Sequence, residues 1–261
     1  MISIKSPREI DLMRKAGRLT AKVFEEVGPL VKPGVSTQFL ADKAEEVIRS
    51  EGGIPASKGY GGFPGAICAS VNEVLVHGIP SNKKILSDGD IISLDVVVKL
   101  NGYHGDACRT YPVGIVGEDK LKLIKVTEEC FWEGVSKVKA GVRLGDVEHA
   151  IQEKAESNGY SVVREFTGHG IGREMHEDPF IFNYGERGHG IIIRKNMCLA
   201  IEPMIHQGSA KIRNLDDGWG VASADGKLTC HFENTIYIDD DGPHITTIDS
   251  VVKGYLSNVE R

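Results

Sequence analysis

The chain repeats itself. Its two halves align with a shift of 107: Lys32, Gly34, Val35, Glu46, Ser50 and Gly52 recur as Lys139, Gly141, Val142, Glu153, Ser157 and Gly159. The same shift carries Asp95, which ends the apolar run IISLD, onto Glu202, which ends CLAIE. The order of elements recurs as well: helix, helix, strand, hairpin. A duplicated chain of this kind folds with pseudo-twofold symmetry, and no linker-like stretch parts the halves. We read one domain over 1–261, with halves of about 1–113 and 114–261. Its class is α/β in the α+β sense, a mostly antiparallel sheet in the middle with helices packed on its outer side.

Local signals place the elements. Ser6-Pro7-Arg8-Glu9 is a capping box with proline at the first helical position, so an amphipathic helix follows to about Val27. A second helix starts near Ser36 and stops at Gly52-Gly53. After the loop GYGGFPGA come strands near 66–72 and 90–100. Asn101-Gly102 then turns a hairpin into a strand from Tyr103 to Val113. The second half has helices from Glu118 to Lys139 and Leu144 to Asn158. Strand-like segments follow at Ser161–Phe166, Cys198–Ile205, Gly220–Ser223 and Leu228–Ile238. The last two flank Asp225-Gly226, a second hairpin signal.

Composition excludes several function classes. The 261 residues carry 31 basic and 37 acidic side chains, a net charge of −6. That is no footprint for gripping phosphates, so no nucleic-acid recognition is expected. No run of about 18 uncharged apolar residues exists, so no membrane span is expected. The start, MISIKSPREI, has no long apolar core and no cleavage site and is not read as a secretory signal. Five cysteines (Cys68, Cys108, Cys130, Cys198, Cys230), without a CxxC pair, read as reduced thiols of a cytoplasmic protein.

Chemistry enters with carboxylates in apolar strands. Asp95 sits in IISLDVVV, and an ionised carboxylate buried there is costly unless compensated. If Asn101 and Gly102 are the turn residues, Val97 faces Asp106, and Asp95 points to the same face. The two carboxylates are then diagonal neighbours, about 7 Å apart at the backbone. Either one is protonated or a divalent cation bridges them. Glu202, the repeat-mate of Asp95, is a further candidate, as are Glu233 and His169. The glycines around His169 in TGHGIG are expected to let a metal or ligand approach closely. Four carboxylates and an imidazole suit two transition-metal ions such as Mn, Fe or Co, whereas a structural zinc site favours Cys and His.

The segment FTGHGIGREMHEDPFIFNY resembles the signature of type I methionine aminopeptidases, in which a second histidine follows the first by seven residues; here these are His169 and His176. VNEVLVHGIP and LDVVVKLNGYHGDACRTYPVG match the same family, and the resemblance runs over nearly the whole chain. It implies the pita-bread fold, with two divalent ions (Mn, Fe, Co or Zn) inside a curved sheet. It puts Asp95, Asp106, His169, Glu202 and Glu233 around those ions, Asp106 and Glu233 bridging them. His77 and His176 become the substrate-facing histidines. Tyr60, Phe63, Cys68, Met175 and Trp219 become the methionine pocket, with Met175 where relatives often carry Phe and Ser57 in place of a cysteine seen in some.

The expected activity is removal of the N-terminal methionine from nascent polypeptides, with a small second residue preferred. A metal-bridged hydroxide attacks the first peptide carbonyl, Glu202 relays the proton, and His77 and His176 assist the leaving amine and the oxyanion. The family also implies a cytoplasmic monomer with transient ribosome association. The chain shows no N-terminal zinc-binding extension, and 31 positions between Glu202 and Glu233 leave no room for the helical insertion of the type II class. Two rivals share the fold. Proline-specific peptidases use the same five ligands but usually carry a large N-terminal domain, and non-catalytic binding modules have lost ligands that this chain keeps.

Overall fold

The computed structural model describes residues 2–259. The capping box forms as expected: the Ser6 side chain accepts from the Glu9 N–H and the Glu9 carboxylate accepts from the Ser6 N–H, opening helix α1 (Pro7–Val27). Ser36 caps α2 (Thr37–Ser50). Short strands β1 (Ile54–Pro55), β2 (Cys68–Val71) and β3 (Val74–Val76) precede the long hairpin of β4 (Ile91–Leu100) and β5 (Tyr103–Pro112). Asn101 and Gly102, both at positive φ, make its turn. The second half opens with α3 (Glu118–Ser136) and α4 (Leu144–Ser157). Strands β6 (Ser161–Val162), β7 (Gly168–Gly170), β8 (Glu177–Ile181) and β9 (Cys198–Ile201) follow. The rest comprises β10 (Met204–His206), β11 (Ile212–Asn214), β12 (Val221–Ser223), β13 (Thr229–His231), β14 (Glu233–Asp239), β15 (Gly242–Ile245) and α5 (Ser250–Val259).

The main sheet is antiparallel throughout and has the order β1-β4-β5-β14-β9-β7-β8, with β2 also on β4 and β15 on β14. Its centre is the pair β5·β14, flanked by β4 and β9 and then by β2 and β7, which is a palindrome about the join between the halves. The backbone repeats the sequence shift bond for bond. Ser36 bridges Ile85, and Arg143 bridges Ile192. The Gly34 N–H donates to Leu86 O and the Gly141 N–H to Ile193 O. Both glycines sit at positive φ, a conformation that disfavours other residues.

Alternation along the strands sorts the two faces of the sheet. Ile92, Leu94, Val96 and Val98 of β4 join one core with α1 and α2. Leu199 and Ile201 of β9 join another with α3 and α4. The helices therefore pack on one face, while Asp95 and Val97 belong to the other. Helix α1 lies close on β5, where a Cβ on Gly105 would meet the Gly17 nitrogen at 2.6 Å.

Three expectations about the second half need correction. The segments 198–205 and 228–238 each break in two. Pro203 has no N–H to give a ladder, and the Phe232 N–H bonds the Pro203 carbonyl across the two breaks. Strands β10 and β13 thereby leave the main sheet, and β10 pairs with β13 on one side and β6 on the other. Asp225-Gly226 makes no hairpin, since β12 pairs with β11 and β3 while β13 pairs with β10. The strand expected over Ser161–Phe166 is only two residues long. Strands β7, β8, β11 and β15 and helix α5 were not anticipated, nor were the short strands β1 and β3 of the first half.

Candidate metal centre

The hairpin register is the expected one. Val97 opposes Asp106, so Asp95 and Asp106 point into the same concave face. Glu202 follows β9, and Glu233 starts β14 opposite Cys108 of β5. His169 lies on β7, paired with Ala200 of β9. The structure brings these five side chains together in one cavity of about 300 Å³. The glycines beside His169 are required by the packing of the neighbouring strands. A Cβ on Gly168 would meet Ala200 O at 2.4 Å, and one on Gly170 would meet Asp178 O at 2.1 Å, so the neighbouring strands demand glycine there.

The donor set does not satisfy itself. The His169 Nδ1–H donates to Gly170 O at 2.9 Å, which leaves Nε2 presenting a lone pair. That atom faces Asp106 Oδ2 at 3.8 Å and Glu202 Oε1 at 3.5 Å, and both are acceptors when ionised. Asp95 Oδ1, Asp106 Oδ1 and Glu233 Oε1 are buried without a hydrogen-bond partner. Burial raises the Asp95 carboxyl above the ordinary carboxylate range. Burial first, and then their neighbours' charge, push Asp106, Glu202 and Glu233 well above it. Burial depresses the His169 imidazole to about 3. Hard oxygen donors and a neutral imidazole, three of the oxygens buried without a partner, fit divalent cations.

One residue at this centre was missed. His231 ends β13, two positions before Glu233, and its Nε2 lies 3.5 Å from Glu202 Oε2 and 3.8 Å from Glu233 Oε2. Strand alternation from Glu233 was the available signal, since one strand over 228–238 already puts residues 231 and 233 on the same face.

The other wall of the cavity is aromatic and sulfur-rich. Phe63 and Trp219 meet edge to face with centroids 5.2 Å apart, and Cys68 stands directly across from Asp95. Burial pushes the Cys68 thiol up, so it stays neutral. Tyr60 and Met175 complete that wall, together with Phe166 and Met204, which were not anticipated. His77 is held at φ 58°, a strained conformation for a residue with a Cβ, with its ring edge-on to Phe166 and Trp219. His176 sits between the two walls. Its Nδ1 is 2.8 Å from the Tyr60 hydroxyl and its ring 4.5 Å from that of His169. Burial lowers the pKa of both His77 and His176, keeping them neutral at pH 7.

Comparison with known proteins agrees with this arrangement. The model of the family described as metallopeptidase family M24 matches residues 11–240. Methionine aminopeptidase 1 of Bacillus subtilis is 50% identical over 247 residues, covering 95% of this chain and 99% of the relative. The crystal structure of methionine aminopeptidase from Thermotoga maritima superposes with a TM-score of 0.94 at 44% identity, covering 95% of this chain and 100% of that one. The enzyme from Rickettsia prowazekii gives 0.93 at 43% identity with the same coverage. These neighbours carry the pita-bread fold, whose curled antiparallel sheet is the one described above. The chain belongs to metallopeptidase family M24 and, within it, to the methionine aminopeptidases.

Proposed function

We propose that this chain is a metal-dependent hydrolase that removes the N-terminal methionine from polypeptides, and that Asp95, Asp106, His169, Glu202 and Glu233 would hold two divalent ions (Mn, Fe, Co or Zn). One observation carries the reading: four buried carboxylates and a lone-pair imidazole meet in a cavity whose opposite wall is Phe63, Cys68, Met175 and Trp219. Divalent ions held there supply a water acidified toward neutrality and Lewis acidity at the scissile carbonyl.

The chain's own groups do the rest. The aromatic and sulfur wall takes the thioether side chain, for which Met175 and Cys68 are soft, polarisable neighbours. The acidic end of the cavity accepts a free α-amino group, which limits cleavage to the first residue. With the Tyr60 hydroxyl donating to Nδ1, His176 carries its proton on Nε2 and donates it to the developing oxyanion. His77, on the other side of the cleft, contacts the scissile amide nitrogen. Glu202, ionised beside the divalent ions it would help to hold, takes the proton from the attacking water and passes it to the leaving amine. The substrates implied are nascent chains with a small second residue, met in the cytoplasm by a monomer in transient contact with the ribosome. Among the described residues no helix is long and apolar enough to cross a membrane.

The test is hydrolysis by metal-free protein titrated anaerobically with Mn, Fe, Co and Zn, on a Met-Ala-Ser peptide and on an Ala-Pro peptide. Cleavage of the first alone, abolished by chelator, is expected. Cleavage of the second instead would make the chain a proline-specific peptidase, and binding of peptide without hydrolysis under any metal would make it a binding module.

A further inference from the structure

We propose that His231 is a further metal ligand at this centre, placing an imidazole nitrogen on the ion that Glu202 and Glu233 also hold. The inference rests on reading the cavity as a divalent-metal centre and goes beyond the five ligands assigned to it.

Three observations support it. First, His231 is only 2% exposed and its Nε2 is buried with no hydrogen-bond partner. A buried polar atom left unpaired costs free energy that native structures avoid. The nearest carboxylate oxygens, at 3.5 and 3.8 Å, lie beyond the 2.7–3.2 Å range typical of an N–H···O bond. Second, one ligand atom from each of Glu202, His231 and Glu233 lies within 4.8 Å of the other two, the same closeness that joins Asp106, His169 and Glu233. Glu233 belongs to both groups, so each group places one imidazole and one further carboxylate beside it. Third, the duplication gives His231 a place of its own. The Gly89 N–H bonds Val113 O and the Asn196 N–H, 107 positions on, bonds Ile238 O, so the second strands of the halves are related by 238 − 113 = 125. On that shift His231 stands where Asp106 stands. The first half puts a carboxylate at this point of the concave face, and the second half puts an imidazole there.

Chemically, a second nitrogen donor moves one of the two sites away from an all-oxygen set. Imidazole suits Fe, Ni, Cu and Zn, while carboxylate and water suit Mn. His231 therefore biases one site toward the later metals.

The experiment uses the cobalt-loaded enzyme. An imidazole bound to paramagnetic Co²⁺ through Nε2 gives a contact-shifted ring N–H proton resonance that disappears in D₂O. Two such resonances, from His169 and His231, are expected in the unmodified enzyme, and one in His231→Gln. A single resonance in the unmodified enzyme overturns the inference without recourse to any variant. Calorimetric titration adds a second reading. His231→Gln is expected to weaken Zn²⁺ binding about 100-fold and Mn²⁺ binding less than about 10-fold. Unchanged Zn²⁺ affinity overturns the ligand role, while failure of the unmodified protein to bind any divalent ion overturns the metal-centre reading beneath it. A matching melting temperature for the two metal-free proteins shows that the variant folds.

Discussion

Val97 and Asp106 face each other directly across the hairpin of β4 and β5, and that pairing aims Asp95 and Asp106 into one buried space. Three of the four carboxylates there have pKa values pushed well above the ordinary range, and the histidines are depressed, His169 to about 3 and His231 to about 4. Above about pH 8 the histidines are neutral whether the chain is folded or not, so the raised carboxylates, joined by the buried thiols whose pKa values burial also raises, set the slope. A raised carboxylate stabilises the fold below its unfolded pKa and loses that contribution as pH rises through the folded value. The melting temperature of the metal-free protein should therefore fall between about pH 8 and 9.5. Saturating Mn²⁺ should raise it, and by more at higher pH, because the metal replaces protons. Differential scanning calorimetry with and without chelator checks this, and a metal-induced gain that shrinks with pH contradicts it.

Ligands and substrate-facing residues should separate cleanly. Asp106→Ala and Glu233→Ala are expected to lose bound metal and turnover together. His77→Ala should keep its metal and lose about 10²- to 10⁴-fold in turnover, the usual range for a proton-transfer group. Elemental analysis beside kinetics on Met-Ala-Ser decides, and equal turnover in all three variants would end the scheme.

Behind the metal centre, Arg109 is 1% exposed and pairs with Asp249 at 2.9 Å while donating to Glu233 O at 2.6 Å and to Asn234 Oδ1 at 2.7 Å. Its guanidinium lies between the Phe24 and Phe232 rings. Asp249 also accepts from the Val252 N–H at the start of α5. Arg109→Met leaves that carboxylate buried and unpaired and should cost about 3–5 kcal/mol by urea denaturation. The double variant Arg109→Met with Asp249→Leu should recover part of the loss. A double variant as unstable as the two single losses added together would count against an uncompensated charge as the cause.

At the other end of the chain, Glu9 accepts from the Ser6 N–H and hydroxyl and from the Tyr103 hydroxyl, and these bonds bring its carboxyl down to about 2. A depressed carboxylate contributes stability above its unfolded pKa that is lost as pH falls through the folded one. Glu9→Gln should melt below the unmodified protein at pH 6, and the gap should close as pH drops from about 4.5 toward 2. A gap independent of pH would mean that the capping geometry, not the charge, carries the effect.

The first half of the chain was readable because its signals are local. Ser6 and Glu9 cap α1 within one turn, and Asn101-Gly102 sets the register that brings Asp95 and Asp106 together without help from any distant residue. The shift of 107 is likewise written in the chain, and the paired bonds of Gly34 and Gly141 repeat it in space. Beyond Glu202 the same rules failed, because there the neighbours decide. Pro203 and Phe232 close on each other and split two apolar runs between sheets, and a dipeptide that turns a hairpin elsewhere joins strands with different partners. His231 shares a face with Glu233 by alternation, but its closeness to Glu202, which lies at another strand's end, is decided only by the fold. Period and turn chemistry act over a few residues and belong to the sequence. Which strand completes which sheet, and hence which atoms share a cavity, depends on long-range pairing whose energy exists only once the chain has closed on itself.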